Sequence, residues 1–367
     1  MTAGLEEALA RRAEALCAVP SPIGEEKALC DELEGWARRH FPHVHRILNS
    51  LVVRVDGDAP APVAPGLSRP LVALCGHLDT VPVHAGDRGP PRLQGGRLVA
   101  PGSSDMKAGV AVAMELALRI PREERFADLA LVLYSREEGP FLENELGPVL
   151  AGAPEIRGAS LAVCLEPTDN RLALGCVGSL HATVTLSGRA AHSARPWQGE
   201  NAIHKAGALL SELAARTPRE ATSGGLAYRE VISATRIEGG RARNVVPDRC
   251  AMNLNFRFAP DKSLEEAEAE LVALASRFGG AALVTDRSPS CPAFADHPLV
   301  ARLRERSGAP VEAKQAWTDV ARLAQAGVPA VNFGPGAASQ AHQEGEWVEV
   351  GALPTCYRAL ERFLAAG

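Results

Sequence analysis

The sequence of 367 residues has no surplus of positive charge: 39 Lys and Arg stand against 44 Asp and Glu, for a formal net charge of −5. Nucleic acid and anionic membrane surfaces do not attract a mildly acidic chain, so no polymer partner is implied. Also missing is any apolar run approaching the roughly 20 residues of a membrane span. The opening MTAGLEEALARRAEAL lacks an uninterrupted apolar core; Glu and Arg recur through it, which predicts an amphipathic helix and not a signal peptide. None of the eight cysteines (Cys17, Cys30, Cys75, Cys164, Cys176, Cys250, Cys291, Cys356) belongs to a C-x-x-C pair. Scattered, and in several cases set in strand-like apolar runs, they are expected to be buried thiols of a cytoplasmic protein instead of a disulfide framework. Internal repeats and low-complexity segments are absent as well.

What is present is enough chain for two domains and a large core. Helices are expected at 5–18 and 24–40, kept apart by Pro20 and Pro22, followed by a strand at 51–55 and a Pro/Ala/Gly-rich surface loop at 56–70. The run LVALC then reads as a buried strand that breaks at Gly76 and delivers His77 and Asp79 to one face of an extended segment. Asp105 of GSSDMKAG lies near the start of the helix-prone MKAGVAVAMELAL, a position that favours a carboxylate anion. Two further apolar runs, ADLALVLYS and ASLAVCLEP, end in Glu137-Glu138 and Glu166. Three strands thus end in metal-competent side chains, and in a wound α/β sheet that carboxyl edge is where sites form.

From Gly178 the texture changes to strands of clean apolar/polar alternation interleaved with two helical segments, in the order βαββαβ of a ferredoxin-like unit. After it the chain returns to α/β texture, with His342 on a loop. The expected organisation is a catalytic domain made of 1–177 and 290–367, with an inserted domain at 178–289.

Two histidines with several carboxylates, and no thiolate, suit two divalent ions of the zinc class. Asp105, held near a helix start, is the natural bridge between two such ions about 3.5–4 Å apart. Adjacent residues of an extended segment point to opposite sides, so one of Glu137 and Glu138 can ligate while the other accepts a proton from water. Asp79 is expected behind His77, where a carboxylate fixes the tautomer of a ligating imidazole. Taken singly, each of these residues has an ordinary explanation as a solvated turn or a loop cap. Their order along the chain is what links them.

GHLDTVP, GSSDMKAG, SREEG, LEPT and the later AH of His342 are similar, in order and spacing, to the M20 family of metallopeptidases and deacylases. The resemblance covers nearly the whole chain, the insert included. It implies an α/β, zinc-peptidase-like catalytic domain with a mixed sheet flanked by helices, and an inserted ferredoxin-like dimerisation (lid) domain. Residue by residue, it implies that His77, Asp105 and Glu166 hold one Zn2+ and Asp105, Glu138 and His342 the other, with Co2+ or Mn2+ as substitutes. Glu137 is then the general base and Asp79 lies behind His77. His192 of AHSARPW would reach across a dimer interface as a donor to the reacting oxyanion, and Asn244 and Arg257 would contact substrate.

Longer fragments (AHSARPWQGENAIHK, NVVPD, NFRFAPD, WTDVARLAQAGVPAVNFGPG) look like the desuccinylase branch in high-GC bacteria. That implies a cytoplasmic homodimer acting on a small N-acyl amino acid, N-succinyl-LL-2,6-diaminopimelate. Rival readings keep the chemistry and change the substrate (N-acetylornithine, or a peptide in a dipeptidase or carboxypeptidase), or keep the fold and lose catalysis. One departure stands out: Cys176-Val177 occupies the place of an Arg-Arg pair in more familiar desuccinylases, a loss for which Arg195 or Arg243 could compensate.

Overall fold

The computed structural model of the protein describes residues 2–57, 69–87 and 89–367. The Pro/Ala/Gly-rich loop expected at 56–70 falls largely on 58–68, outside the described residues. Two compact units result. One comprises Met1–Gly175, Ala293–Glu312 and Thr318–Gly367, the other Cys176–Pro292 and Ala313–Trp317.

The first unit is built on a mixed sheet in the order His43–Ile47, Ser50–Arg54, Asp128–Tyr134, Leu71–His77, Leu161–Cys164, Ala330–Asn332, Leu172–Leu174, Val311–Ala313. Its centre is parallel, with Leu71–His77 between Asp128–Tyr134 and Leu161–Cys164, and Ala330–Asn332 beyond the latter. Every residue of the three central strands is buried. The physical reason is the continuous apolar run of each, which only a sheet covered on both faces can accommodate. The helix Ala108–Arg119 covers part of this sheet with small side chains, buried from Ala108 through Ala117. Gly109 permits the closest approach: a Cβ there would lie 2.4 Å from the Leu165 carbonyl oxygen, one residue before Glu166. Leu74, Val132 and Val163 lie wholly buried in the centre. Each contributes about 1.5–3 kcal/mol relative to exposure.

Several short strands went unread in the sequence. His43–Ile47 pairs antiparallel with Ser50–Arg54 through a tight turn at Leu48, whose φ is +55°. A small sheet joins Arg92–Gln94, Arg97–Val99 and Trp347–Glu349. It pairs the segment after His342 with the segment before Asp105.

The second unit is a five-stranded antiparallel sheet in the order Arg219–Ser223, Leu226–Gly239, Arg249–Phe258, Gly178–Ser187, Gly280–Ser288. Burial alternates along Gly178–Ser187 and Arg249–Phe258. The buried face packs Leu180, Val184, Met252, Leu254 and Phe256 against the helices Ala202–Ala215 and Leu264–Arg277. Asn201 caps the first helix; Ser263 and Glu266 form a capping box at the second. Such a cap is worth typically about 1 kcal/mol.

The unit is ferredoxin-like, but not the bare βαββαβ expected: Arg219–Ser223 adds an edge strand. It was missed because REATS is polar, yet Gly224 and Gly225, both at positive φ, make a two-residue hairpin turn of the type that matches strand twist. The return segment joins this unit through Gln315, which accepts the Arg229 amide at 3.0 Å and donates to the Arg229 carbonyl at 2.7 Å. All eight cysteines are buried and none is in a disulfide, and among the described residues no helix is long and apolar enough to cross a membrane.

Candidate metal centre

Parallel strands end at one edge, so the strands finishing at His77, Tyr134 and Cys164 bring His77, Glu137-Glu138 and Glu166 together. Asp105 enters from a turn just ahead of the helix Ala108–Arg119. Its φ of −118° and ψ of 93° are non-helical, so the carboxylate is not seated on a helix N-terminus as the sequence suggests. His342, at φ +62°, arrives on the loop before Trp347–Glu349.

Side-chain ligand atoms form three groupings in which all atoms lie within 4.8 Å of one another: His77, Asp105 and Glu166; Asp105, Glu138 and His342; and His77, Glu137 and Glu138. The first two share Asp105. One oxygen of Asp105 lies 3.1 Å from Nε2 of His77, and the other 3.8 Å from Nε2 of His342. His342 is also 2.9 Å from a Glu138 oxygen. Asp79 is fully buried. Its main-chain oxygen is 3.0 Å from Nδ1 of His77, its carboxylate is 3.7 Å from the same nitrogen, and it accepts the Glu138 amide at 2.9 Å.

Electrostatics match a site built for cations. Burial works against a charged His77, yet the hydrogen bond to Asp105 and the nearby Asp79 outweigh it and hold the imidazolium well above its ordinary 6.5. The hydrogen bond to Glu138 lifts His342 to about 8, against the opposing effect of burial. Glu137 is pushed well above 4.5, first by burial and then by the negative charge of Glu166. Negative charge crowded around His77, His342 and Glu137 thus favours positive charge or protons at these three groups, and a divalent ion would neutralise the same charge. The donors are imidazole nitrogen and carboxylate oxygen only, a set that fits the zinc class.

Three residues met in the sequence belong to the second unit. His192 and Asn244 are exposed, on neighbouring loops joined by a bond from the Ser193 amide to the Asn244 carbonyl (2.9 Å) and by the His192–Val245 bridge. Arg257 is half-buried and donates to Asn255 at 3.0 Å; Asn255 in turn lies 2.8 Å from Nε2 of His181. Burial pulls Arg257 below its ordinary value, opposed by Asp286. Cys176 and Val177 are wholly buried, Cys176 paired through its backbone with Cys291 and Val177 packed on Tyr228 and Ala259. The place of the familiar Arg-Arg pair is thus part of an apolar core.

Sequence reading overlooked Glu346. Its buried carboxylate accepts the backbone amides of Gly102 (2.6 Å), Ser104 (2.7 Å) and Asp105 (2.9 Å). The only available signal was its place in HQEGEWV, a short step beyond His342 on the same loop.

Fold and ligand groupings together define a hydrolase-type candidate two-metal centre at the carboxyl edge of a mixed sheet. A peptidase dimerisation domain model of the M20 type matches residues 174–281. A Mycobacterium tuberculosis protein provisionally named as the succinyl-diaminopimelate desuccinylase DapE is 38% identical over 95% of this chain and 96% of its own. The succinyl-diaminopimelate desuccinylase of Corynebacterium glutamicum is 36% identical over 95% of this chain and 93% of its own. The solved structure of Bacillus subtilis YxeP, described as a dinuclear metal-binding peptidase from the M20 family, superimposes with a TM-score of 0.66 at 16% identity, over 98% of this chain and 97% of that one. The chain belongs to the M20 family.

Proposed function

We propose that the protein is a cytoplasmic, homodimeric, di-zinc amidohydrolase that cleaves N-succinyl-LL-2,6-diaminopimelate to succinate and LL-2,6-diaminopimelate. The substrate assignment is supported by relatives of that name at 36% and 38% identity over 95% of the chain. The observation that carries the chemistry is the pair of ligand triads sharing Asp105, with Glu137 left outside both.

In this reading His77, Asp105 and Glu166 would hold one ion and Asp105, Glu138 and His342 the other. Zn2+ fits the donors, with Co2+ or Mn2+ as substitutes; bound, the pair would supply Lewis acidity toward the amide carbonyl and toward water. Glu137 takes the proton of the attacking water and returns it to the leaving amine nitrogen, a role for a carboxylate that is near the centre but not in either shared triad. Asp79 orients the His77 ring and, through the Glu138 amide, the loop that bears Glu137. Arg257, already oriented by Asn255, presents a planar guanidinium suited to the succinyl carboxylate. Asn244 is a second substrate contact, and His192 of the second copy donates to the developing oxyanion. Buried thiols outside any disulfide fit a reducing compartment.

The deciding experiment is hydrolysis of N-succinyl-LL-2,6-diaminopimelate by purified protein, before and after chelation, beside N-acetylornithine. Turnover of the succinylated amide that is lost on chelation and restored by Zn2+ is expected. A higher kcat/KM on N-acetylornithine would overturn the substrate, and full activity in chelator the metal reading.

A further inference from the structure

Asp105 must present one oxygen toward each of two histidines, yet its own backbone has no regular structure to fix it. Lying ahead of the helix Ala108–Arg119, its N–H is outside that helix's hydrogen-bond ladder. Glu346, only 6% exposed, supplies what the helix does not. One of its oxygens accepts the amides of Ser104 and Asp105, at 2.7 and 2.9 Å, and the other accepts that of Gly102 at 2.6 Å. Its main-chain oxygen also accepts the Ala100 amide at 3.0 Å, and the next residue, Trp347, pairs with Val99. A buried carboxylate with three short N–H donors is held by charge-assisted bonds, the strong kind. The opposite side of the turn is closed too: the Ala337 amide donates to Ser104 Oγ at 2.7 Å, and a Cβ on Gly336 would lie 2.1 Å from the Ser104 carbonyl oxygen.

We propose that Glu346 is the positioning residue of the centre: by gripping the Gly102–Asp105 backbone it fixes the Asp105 carboxylate between His77 and His342. This rests on the two-metal reading above. Glu346 and His342 share one loop, so the same contact that orients the bridging acid also ties the loop of His342 to it.

The test compares wild type, Glu346→Gln and Glu346→Asp, each stripped of metal and titrated with Co2+ alone by calorimetry and visible absorption, then assayed for kcat and KM on the succinylated amide. Gln keeps the shape but turns an N–H donor toward at least one backbone donor. Wild type should take up two Co2+ per chain. Glu346→Gln should bind Co2+ about 10–100-fold more weakly, show an altered absorption band, and lose kcat in about the same proportion with KM little changed. Glu346→Asp, which keeps the charge one methylene short, should show the same separation in smaller degree, and carries the test if the Gln variant does not fold. Variants whose Co2+ affinity, spectrum and kcat equal wild type, even with a lowered Tm, would overturn the proposal. A wild type that takes up no Co2+ would overturn the two-metal reading and this proposal with it, a result distinct from the first.

Discussion

The Glu138 carboxylate lies 2.9 Å from Nε2 of His342, although the two residues are 204 positions apart in sequence. That contact is possible because the strand before Glu138 is parallel to Leu71–His77, and the loop of His342 is drawn back by the pairing of Trp347–Glu349 with Arg97–Val99. The centre therefore depends on the first and last pieces of the first unit, Met1–Gly175 and Thr318–Gly367, folding together.

Glu137→Gln removes the proton acceptor without altering the side-chain shape. Turnover is expected to fall by roughly 10²–10⁴-fold, the usual worth of a positioned acid/base group. Metal content, measured by atomic emission on the same preparation, should remain at the wild-type value. Equal loss of metal and activity would make Glu137 a ligand, as its grouping with His77 and Glu138 also allows.

Arg257→Ala should raise KM for the succinylated substrate by roughly 10–100-fold, since a hydrogen bond to a charged group contributes about 1.5–3 kcal/mol. Arg257→Lys should not restore it, because an ammonium cannot make the paired planar contact. Steady-state kinetics with the succinyl compound and with its carboxamide analogue provide the measurement; equal losses on both would remove the carboxylate role.

The strand Leu226–Gly239 runs past its hairpin partner, which pairs only with 226–230. Among the described residues, no strand pairs with the outer edge of 231–239, and Val231 and Ile237 on it are 38% and 47% exposed. An uncovered apolar edge is a surface for strand pairing with a second copy. If the proposed homodimer forms along this edge, Ile237→Lys is expected to shift it to monomer in sedimentation velocity, with Co2+ binding retained. An unchanged dimer would place the interface elsewhere.

Glu230 stabilises the second unit. It is buried, accepts from Arg219 at 3.0 and 2.9 Å, from Lys262 at 2.8 Å and from the Ala259 amide at 3.1 Å. Burial pushes its carboxyl up, but the bonds from Arg219 and Lys262 prevail and leave it below the ordinary 4.5. A group whose folded value is depressed contributes stability that is complete above the unfolded value, here 4.5, and is lost as the pH falls through the folded one. Glu230→Gln should cost roughly 1–3 kcal/mol at neutral pH, with the difference from wild type shrinking below about pH 4. Urea unfolding of both proteins across that range checks the sign. A difference that stayed constant into acid would contradict it.

Local pattern carried much of this. The continuous apolar runs ending at His77, Tyr134 and Cys164 were readable as two-sided strands because burial on both faces leaves no room for alternation. The alternating strands of 178–187 and 249–258 were readable for the opposite reason. The edge strand Arg219–Ser223 was not, since a strand exposed on its outer side tolerates polar residues at nearly every position. Nor was Glu346, whose role exists only once a distant turn supplies three amides.

By itself, then, the sequence determined the types of residue and the order in which they reach the strand ends: two imidazoles, a set of acids, and an insert of different texture. Tertiary structure decided which acid faces which histidine, that Asp105 stands outside the helix, and that Glu346 holds it. Propensity and periodicity act over a few residues, whereas a coordination geometry is set by strands and loops that meet from opposite ends of the chain.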